Sequence, residues 1–185
     1  MEQTATIISR VFDPFITLAA LLFLTFLHGG VTNRVTWIIA FGLMAVVPVF
    51  LMVFAMRKKV VSNWDIKRRE ERPRVLGVIL LLEFINILVI RPLVSPWVTQ
   101  TLVGIFIVLS GFTLITLRWK ISGHTLASAL FTGAVIAWFG WSWWPILLIV
   151  PLVAWARVKT KNHTVGQVIA GAVYSWGLLQ LVKLV

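Results

Sequence analysis

Apolar residues come in long runs separated by short polar knots, and the run lengths predict a stack of membrane-crossing helices. Residues 1–13 read as a short interfacial lead-in, ended by Asp13-Pro14, and Phe15 to Leu27 is a first apolar run closed by His28-Gly29-Gly30. Val35 to Met56 is a second, long enough to cross a hydrocarbon core of about 30 Å at about 1.5 Å per residue. Pro48 inside it predicts a kink. The longest polar stretch, Arg57 to Arg74, leads to a third run, Val75 to Ile90, interrupted by Glu83. A turn at Arg91, Pro92 and Pro96 precedes the fourth run, Val98 to Leu117. The polar knot Arg118 to His124 follows, then a fifth run, Thr125 to Phe139, a tight turn at Gly140 to Pro145, and a sixth run, Ile146 to Trp155. The seventh runs from about His163 to Leu184.

The pattern predicts an all-α, polytopic transmembrane helical bundle of about six to seven spans. It forms one domain over residues 1–185, with two leading spans in 1–56, a motif-bearing core in 57–168 and a last helix in 163–184. Seven crossings is the simple count; a re-entrant hairpin by the third and fourth runs gives five. Either way an even number of passes separates consecutive knots, so all three share one membrane face.

Composition sharpens this picture. Of 185 residues, 59% are hydrophobic and 12% charged, and the mean hydropathy is +0.96; soluble domains carry about 25% charged residues. With no cysteine, thiol chemistry, disulfides and thiolate metal sites are excluded. The opening MEQTATIISRVFDP lacks a basic region followed by an apolar core, so no cleavable signal is expected. The net charge of +11 sits in short loops between apolar runs, which favours anionic headgroups and phosphate as partners rather than nucleic acid. Most cations lie on the knot face, against only Arg34, Arg91 and Lys183 on the other, so the knots are expected in the cytoplasm. Trp141, Trp143 and Trp144 would form the opposite aromatic belt. His28 and Glu83 are intramembrane polar groups that could pair with each other or with Arg91.

The knots carry the candidate chemistry. In the first, Asp65, Arg69 and Arg72 are spaced to share one face of a helix, with Arg68 beside them and Lys67 roughly opposite. Paired guanidiniums suit a phosphate, and Asp65 would hold Arg69 in place. A solvated loop on anionic lipid is the plainer reading. The second is Ser122-Gly123-His124, where a glycine at a helix start lets backbone N–H groups approach an anion and His124 can act as a general acid. The third is Arg157 and His163 with Gln167 one turn on. A neutral imidazole is a competent nucleophile toward phosphorus when a neighbour fixes one ring nitrogen. The plainer reading is a row of snorkelling cations with a helix cap at Asn162.

Arg72-Pro73, then Ser122-Gly123-His124, then Arg157 followed after five residues by His163, all between apolar spans, resembles the type 2 phosphatidic acid phosphatase superfamily. The resemblance covers roughly Asp65 to Val168. It implies a nucleophile at His163 forming a phosphohistidine, and an acid at His124 protonating the leaving lipid oxygen. It also implies phosphate binding by Arg72, Arg157, Ser122 and the Gly123 amide, with no cofactor and no metal. Three departures stand out. Asp65 occupies the position of a usual lysine, for which Arg69 is the replacement candidate, with Arg68 and Lys67 behind it. Ile121 replaces a proline before Ser122. Gln167 replaces the usual aspartate partner of the nucleophile, as in variants similar to the dolichyl-diphosphate phosphatase branch. The expected function is a membrane lipid phosphatase acting on a lipid phosphate or isoprenoid diphosphate. The alternatives are an impaired relative that binds or moves an anionic lipid, and a structural bundle.

Overall fold

The computed structural model describes residues 1–181; every regular element among them is helical. Lys183 and the end of the seventh run lie outside the described residues. Five stretches are long and apolar enough to cross a membrane: Glu2–His28, Arg34–Arg57, Arg69–Leu93, Pro96–Thr116 and Trp141–Lys159. Gly123–Phe139 is apolar but shorter. Large apolar side chains stay exposed along the spans, Phe50 at 76% and Ile38 at 71%, a surface suited to hydrocarbon rather than water. The chain is an α-helical membrane protein.

Helices begin where a short polar side chain or a proline deals with the first N–H groups. The expected lead-in is itself a helix, α1 (Glu2–Val11). Next, α2 (Pro14–His28) starts on a proline, and Asp13 accepts from the Phe15 N–H at 3.0 Å. Asn33 caps α3 (Arg34–Phe41), accepting from Val35 at 2.9 Å and Thr36 at 3.3 Å. This helix passes through a π-helical turn, Gly42–Val46, into α4 (Val47–Arg57). In this turn the Val47 N–H reaches back to the Gly42 carbonyl, and Pro48, which has no N–H to offer, follows it in the first turn of α4. The remaining helices are α5 (Arg72–Ile90), α6 (Pro96–Thr116), α7 (Gly123–Phe139), α8 (Ile149–Lys159) and α9 (Val165–Leu181). Between α7 and α8 the expected tight turn is a longer 3-10 run, Trp141–Leu148, after Gly140 breaks α7 at φ 92°.

The chain divides into two compact units, Met1–Leu21 with Lys120–Val185, and Leu22–Trp119. In the first, α7 is central and is buried on every side from His124 to Leu130. Apolar surface gains little by leaving lipid for protein, so close backbone approach must hold the helices together. Two glycines permit it. A Cβ on Gly171 of α9 would stand 2.5 Å from the Ser122 carbonyl oxygen, and one on Gly133 of α7 2.5 Å from Leu179 Cδ1. Between these crossings the Trp176 indole donates to the Ala129 carbonyl at 3.0 Å. The α1 helix packs on α8.

In the second unit, α5 packs on α6 and on the π-helical turn. Its buried face carries Glu83 and Asn86 beside Ile87 and Ile90. Glu83 Oε1 and both polar side-chain atoms of Asn86 are buried without a hydrogen-bond partner. Glu83 therefore pairs with neither His28 nor Arg91, and His28 instead lies against Trp97, ring centroids 5.1 Å apart.

Candidate active site

The third knot is built by the way α8 ends. Lys161 takes a left-handed conformation, φ 55°, and its N–H bonds the Val158 carbonyl at 3.0 Å. The Asn162 N–H reaches the Arg157 carbonyl at 3.1 Å, and the His163 N–H reaches the same oxygen at 3.2 Å. The pair of bonds to Val158 and Arg157 is a helix-ending turn that normally favours glycine at its left-handed position. Its consequence is functional: the spacing from Arg157 to His163 is the length needed to reverse the chain and return the histidine to the arginine's backbone.

His163 precedes α9 rather than opening it, and the cap is Thr164 rather than Asn162. The Gln167 N–H points to Thr164 Oγ1 at 3.4 Å, and Gln167 Oε1 accepts from the Thr164 N–H at 3.1 Å, a reciprocal capping box. The same Oε1 lies 3.2 Å from His163 Nδ1. A carboxamide oxygen only accepts, so this contact places the proton on Nδ1 and presents Nε2 as a lone pair. Gln167 thus fixes both the helix start and the ring.

The second knot meets the third through its backbone and through Arg157. The Ser122 N–H donates to the Gln167 carbonyl at 3.1 Å, and Lys120 Nζ to the Asn162 carbonyl at 3.1 Å. Close approach at Gly171 sets α9 against the start of α7. The Ser122 hydroxyl caps α7, accepting from the Thr125 N–H at 3.3 Å, and the residue is fully buried. Gly123 is the first residue of α7 and His124 the second, at the positive end of the helix dipole.

Arg157 is only 1% exposed. A buried guanidinium without partners would cost several kcal/mol. Arg157 Nη1 donates to Ser9 Oγ at 2.6 Å and lies 3.4 Å from His124 Nε2. Asp13 Oδ2 lies 3.9 Å from that same Nε2. Unit charges about 4 Å apart interact by roughly 4 kcal/mol at an effective dielectric near 20. Arg157 opposes an imidazolium at His124 and Asp13 favours one.

Ser9 and Asp13 are the residues that sequence reasoning missed. Both are buried and both come from the segment read as a lead-in. The available signal was Asp13 itself, a carboxylate set immediately before an apolar run.

The first knot belongs to the other unit, and its expected helix is absent. Residues 60–68 form turns, with Ile66 at φ 43°, and only a single 3-10 turn, Arg69–Glu71, precedes α5. Asp65, Arg69 and Arg72 therefore do not share a helical face. The cause is local competition for backbone groups. Glu71 accepts from the Ser62 N–H at 2.9 Å and its hydroxyl at 3.0 Å, while Asn63 Oδ1 takes the Lys67 N–H at 3.2 Å. Arg69, its side chain 44% exposed, donates to the Arg118 carbonyl at 2.7 Å and lies 3.7 Å from Glu70. Lys67 and Arg68 are exposed. Arg72 is buried, and its Nε donates to the Ile66 carbonyl at 3.1 Å.

Among the described residues no group of three or more His, Cys, Asp or Glu could hold a metal ion. The structure brings Ser9 and His124 to the Arg157 guanidinium and Asp13 to His124, while His163, its ring on Gln167, meets the Arg157 backbone. No family model matches the chain, and neither does any curated protein or solved structure.

Proposed function

We propose that this protein is a membrane-embedded, metal-independent lipid phosphatase that works through a phosphohistidine on His163. The observation that carries the reading is the buried Arg157. Its guanidinium lies beside His124, and its carbonyl holds the backbone of His163. A buried guanidinium beside one imidazole, with a second histidine tied to its backbone, is suited to a tetrahedral anion, and the resemblance to type 2 phosphatidic acid phosphatases supplies the roles.

In the first step His163 Nε2 attacks phosphorus, a nitrogen–phosphorus bond forms, and the bond to the lipid oxygen, or to the terminal phosphate's bridging oxygen, breaks. His124 gives its proton to that oxygen. Arg157 stabilises the charge on the non-bridging oxygens. In the second step water attacks the phosphohistidine, His124 takes the water's proton, and phosphate leaves with His163 restored. Gln167 keeps Nδ1 protonated throughout, so the lone pair stays on the attacking nitrogen.

The substrate class follows from access: a buried cation in a chain surrounded by lipid meets phosphates on long apolar anchors at high local concentration. An isoprenoid diphosphate is preferred over phosphatidic acid because of Gln167 and the surplus of cations. The proposed partners are the lipid substrate and the surrounding membrane lipids. The active-site face is assigned to the cytoplasm from the distribution of Lys and Arg.

The test is a panel of polyprenyl diphosphate, polyprenyl phosphate and phosphatidic acid presented to detergent-purified protein with EDTA. Inorganic phosphate should be released from at least one, undiminished by the chelator. Folded protein that releases none contradicts the proposal.

A further inference from the structure

We infer that Asp13 is the charge partner of His124, a positioning residue that holds the imidazolium ready to protonate the leaving group. The inference rests on the phosphatase reading and deepens it.

His124 Nε2 stands between a donor and an acceptor, Arg157 Nη1 at 3.4 Å and Asp13 Oδ2 at 3.9 Å. A guanidinium can only donate, so the contact with Arg157 suits the neutral ring, whose Nε2 is a lone pair. A protonated Nε2 is repelled by Arg157 and attracted to the carboxylate. Protonation therefore changes which neighbour the ring meets. When a phosphate takes up the Arg157 charge, Asp13 is left as the group that favours the acid form. The charged and titratable groups on the surrounding elements bear this out. Arg157 comes from α8, His163 precedes α9, and Lys120 is turned onto the Asn162 carbonyl. Arg10, Lys159 and Lys161 are exposed. Asp13 supplies the negative charge.

The position of Asp13 is fixed by a second duty. Its Oδ1 accepts from the Phe15 N–H at 3.0 Å, capping α2, while Oδ2 faces His124. Asparagine caps a helix equally well and carries no charge. Asp13→Asn thus removes the electrostatic role and keeps the structural one.

The experiment follows the ring signals of His124 by NMR in ring-labelled protein in detergent, with assignments from His28→Gln and His124→Gln. In Asp13→Asn the His124 titration midpoint should fall by about one pH unit or more. The sign follows from the charge: removing an anion beside the imidazolium lets the proton leave at lower pH. A general acid must be protonated, so the alkaline limb of kcat should move down by the same amount. KM should change little.

Asp13→Ser, which also caps, repeats the measurement should the amide variant fold poorly. An unmoved midpoint overturns the inference whatever the activity does. Higher activity with a lower KM in Asp13→Asn also overturns it, because the carboxylate would then be competing with phosphate for Arg157. A shifted midpoint in Asp13→Asn, together with wild-type protein that releases no phosphate, overturns the phosphatase reading, and the catalytic role with it.

Discussion

Two helices in this chain, α4 and α8, end in the same left-handed turn and lead to different outcomes. At α4, Lys59 sits at φ 56°, its N–H on the Met56 carbonyl at 3.0 Å, and the Val60 N–H reaches Ala55 at 2.9 Å. At α8, Lys161 sits at φ 55° with the equivalent bonds to Val158 and Arg157. Each turn places a lysine where glycine is usual, near the negative end of a helix dipole. Yet the first leads into a loop whose Lys67, Arg68 and Arg69 are exposed, and the second to a buried histidine on a buried arginine. The difference lies one turn inside the helix. Arg157 occupies the position whose carbonyl closes the turn and whose side chain points inward; the equivalent residue of α4 is Ala55. Basic composition alone therefore says little, and a cation that the fold shuts away beside an imidazole, with a second histidine on its backbone, says more.

The sharpest way to break that comparison is to remove one cation from each region. Arg157→Ala should reduce kcat/KM by at least about a thousandfold, in line with loss of transition-state charge stabilisation in a dry site. Arg69→Ala, which loses a bond to the Arg118 carbonyl, should cost less than about tenfold. Phosphate release from purified variants with EDTA present measures both. Equal losses would place Arg69 in the site after all.

A smaller effect is expected from the packing that joins the second and third knots. Gly171→Ala drives a methyl group toward the Ser122 carbonyl oxygen and Thr125 Oγ1, neither of which can swing away. It should destabilise by about 1–3 kcal/mol and lower activity, read by thermal unfolding in detergent and by turnover. Gly166→Ala, with nothing within 4 Å of the new carbon, should change neither. Smallest of all is the backbone. Lys161→Gly and Lys59→Gly each relieve a left-handed lysine and should raise stability by at most about 1 kcal/mol. Activity should hold in both, because the Lys161 side chain is exposed and makes no part of the proposed site.

Much of the architecture was legible because membranes make sequence patterns blunt. Apolar runs became helices. The contact between His163 and Gln167 was readable because it is local. The geometry at Asp65 was not: helical spacing placed it with Arg69 and Arg72, but Glu71 folding back onto Ser62 gave the backbone another solution. Ser9 was invisible for a different reason, and Asp13 showed only as a carboxylate before an apolar run. Ser9 meets Arg157 across 148 residues of chain, and no periodicity reports a contact of that kind.

The central claim is that His163 carries the phosphoryl group. Wild-type protein mixed with a lipid phosphate labelled on phosphorus, quenched in alkaline denaturant and digested, should show label on the His163 peptide, lost on acidification as expected of a phosphohistidine. The His163→Ala protein should show none and release no phosphate. Label on another residue, or release by His163→Ala at the wild-type rate, would contradict the account.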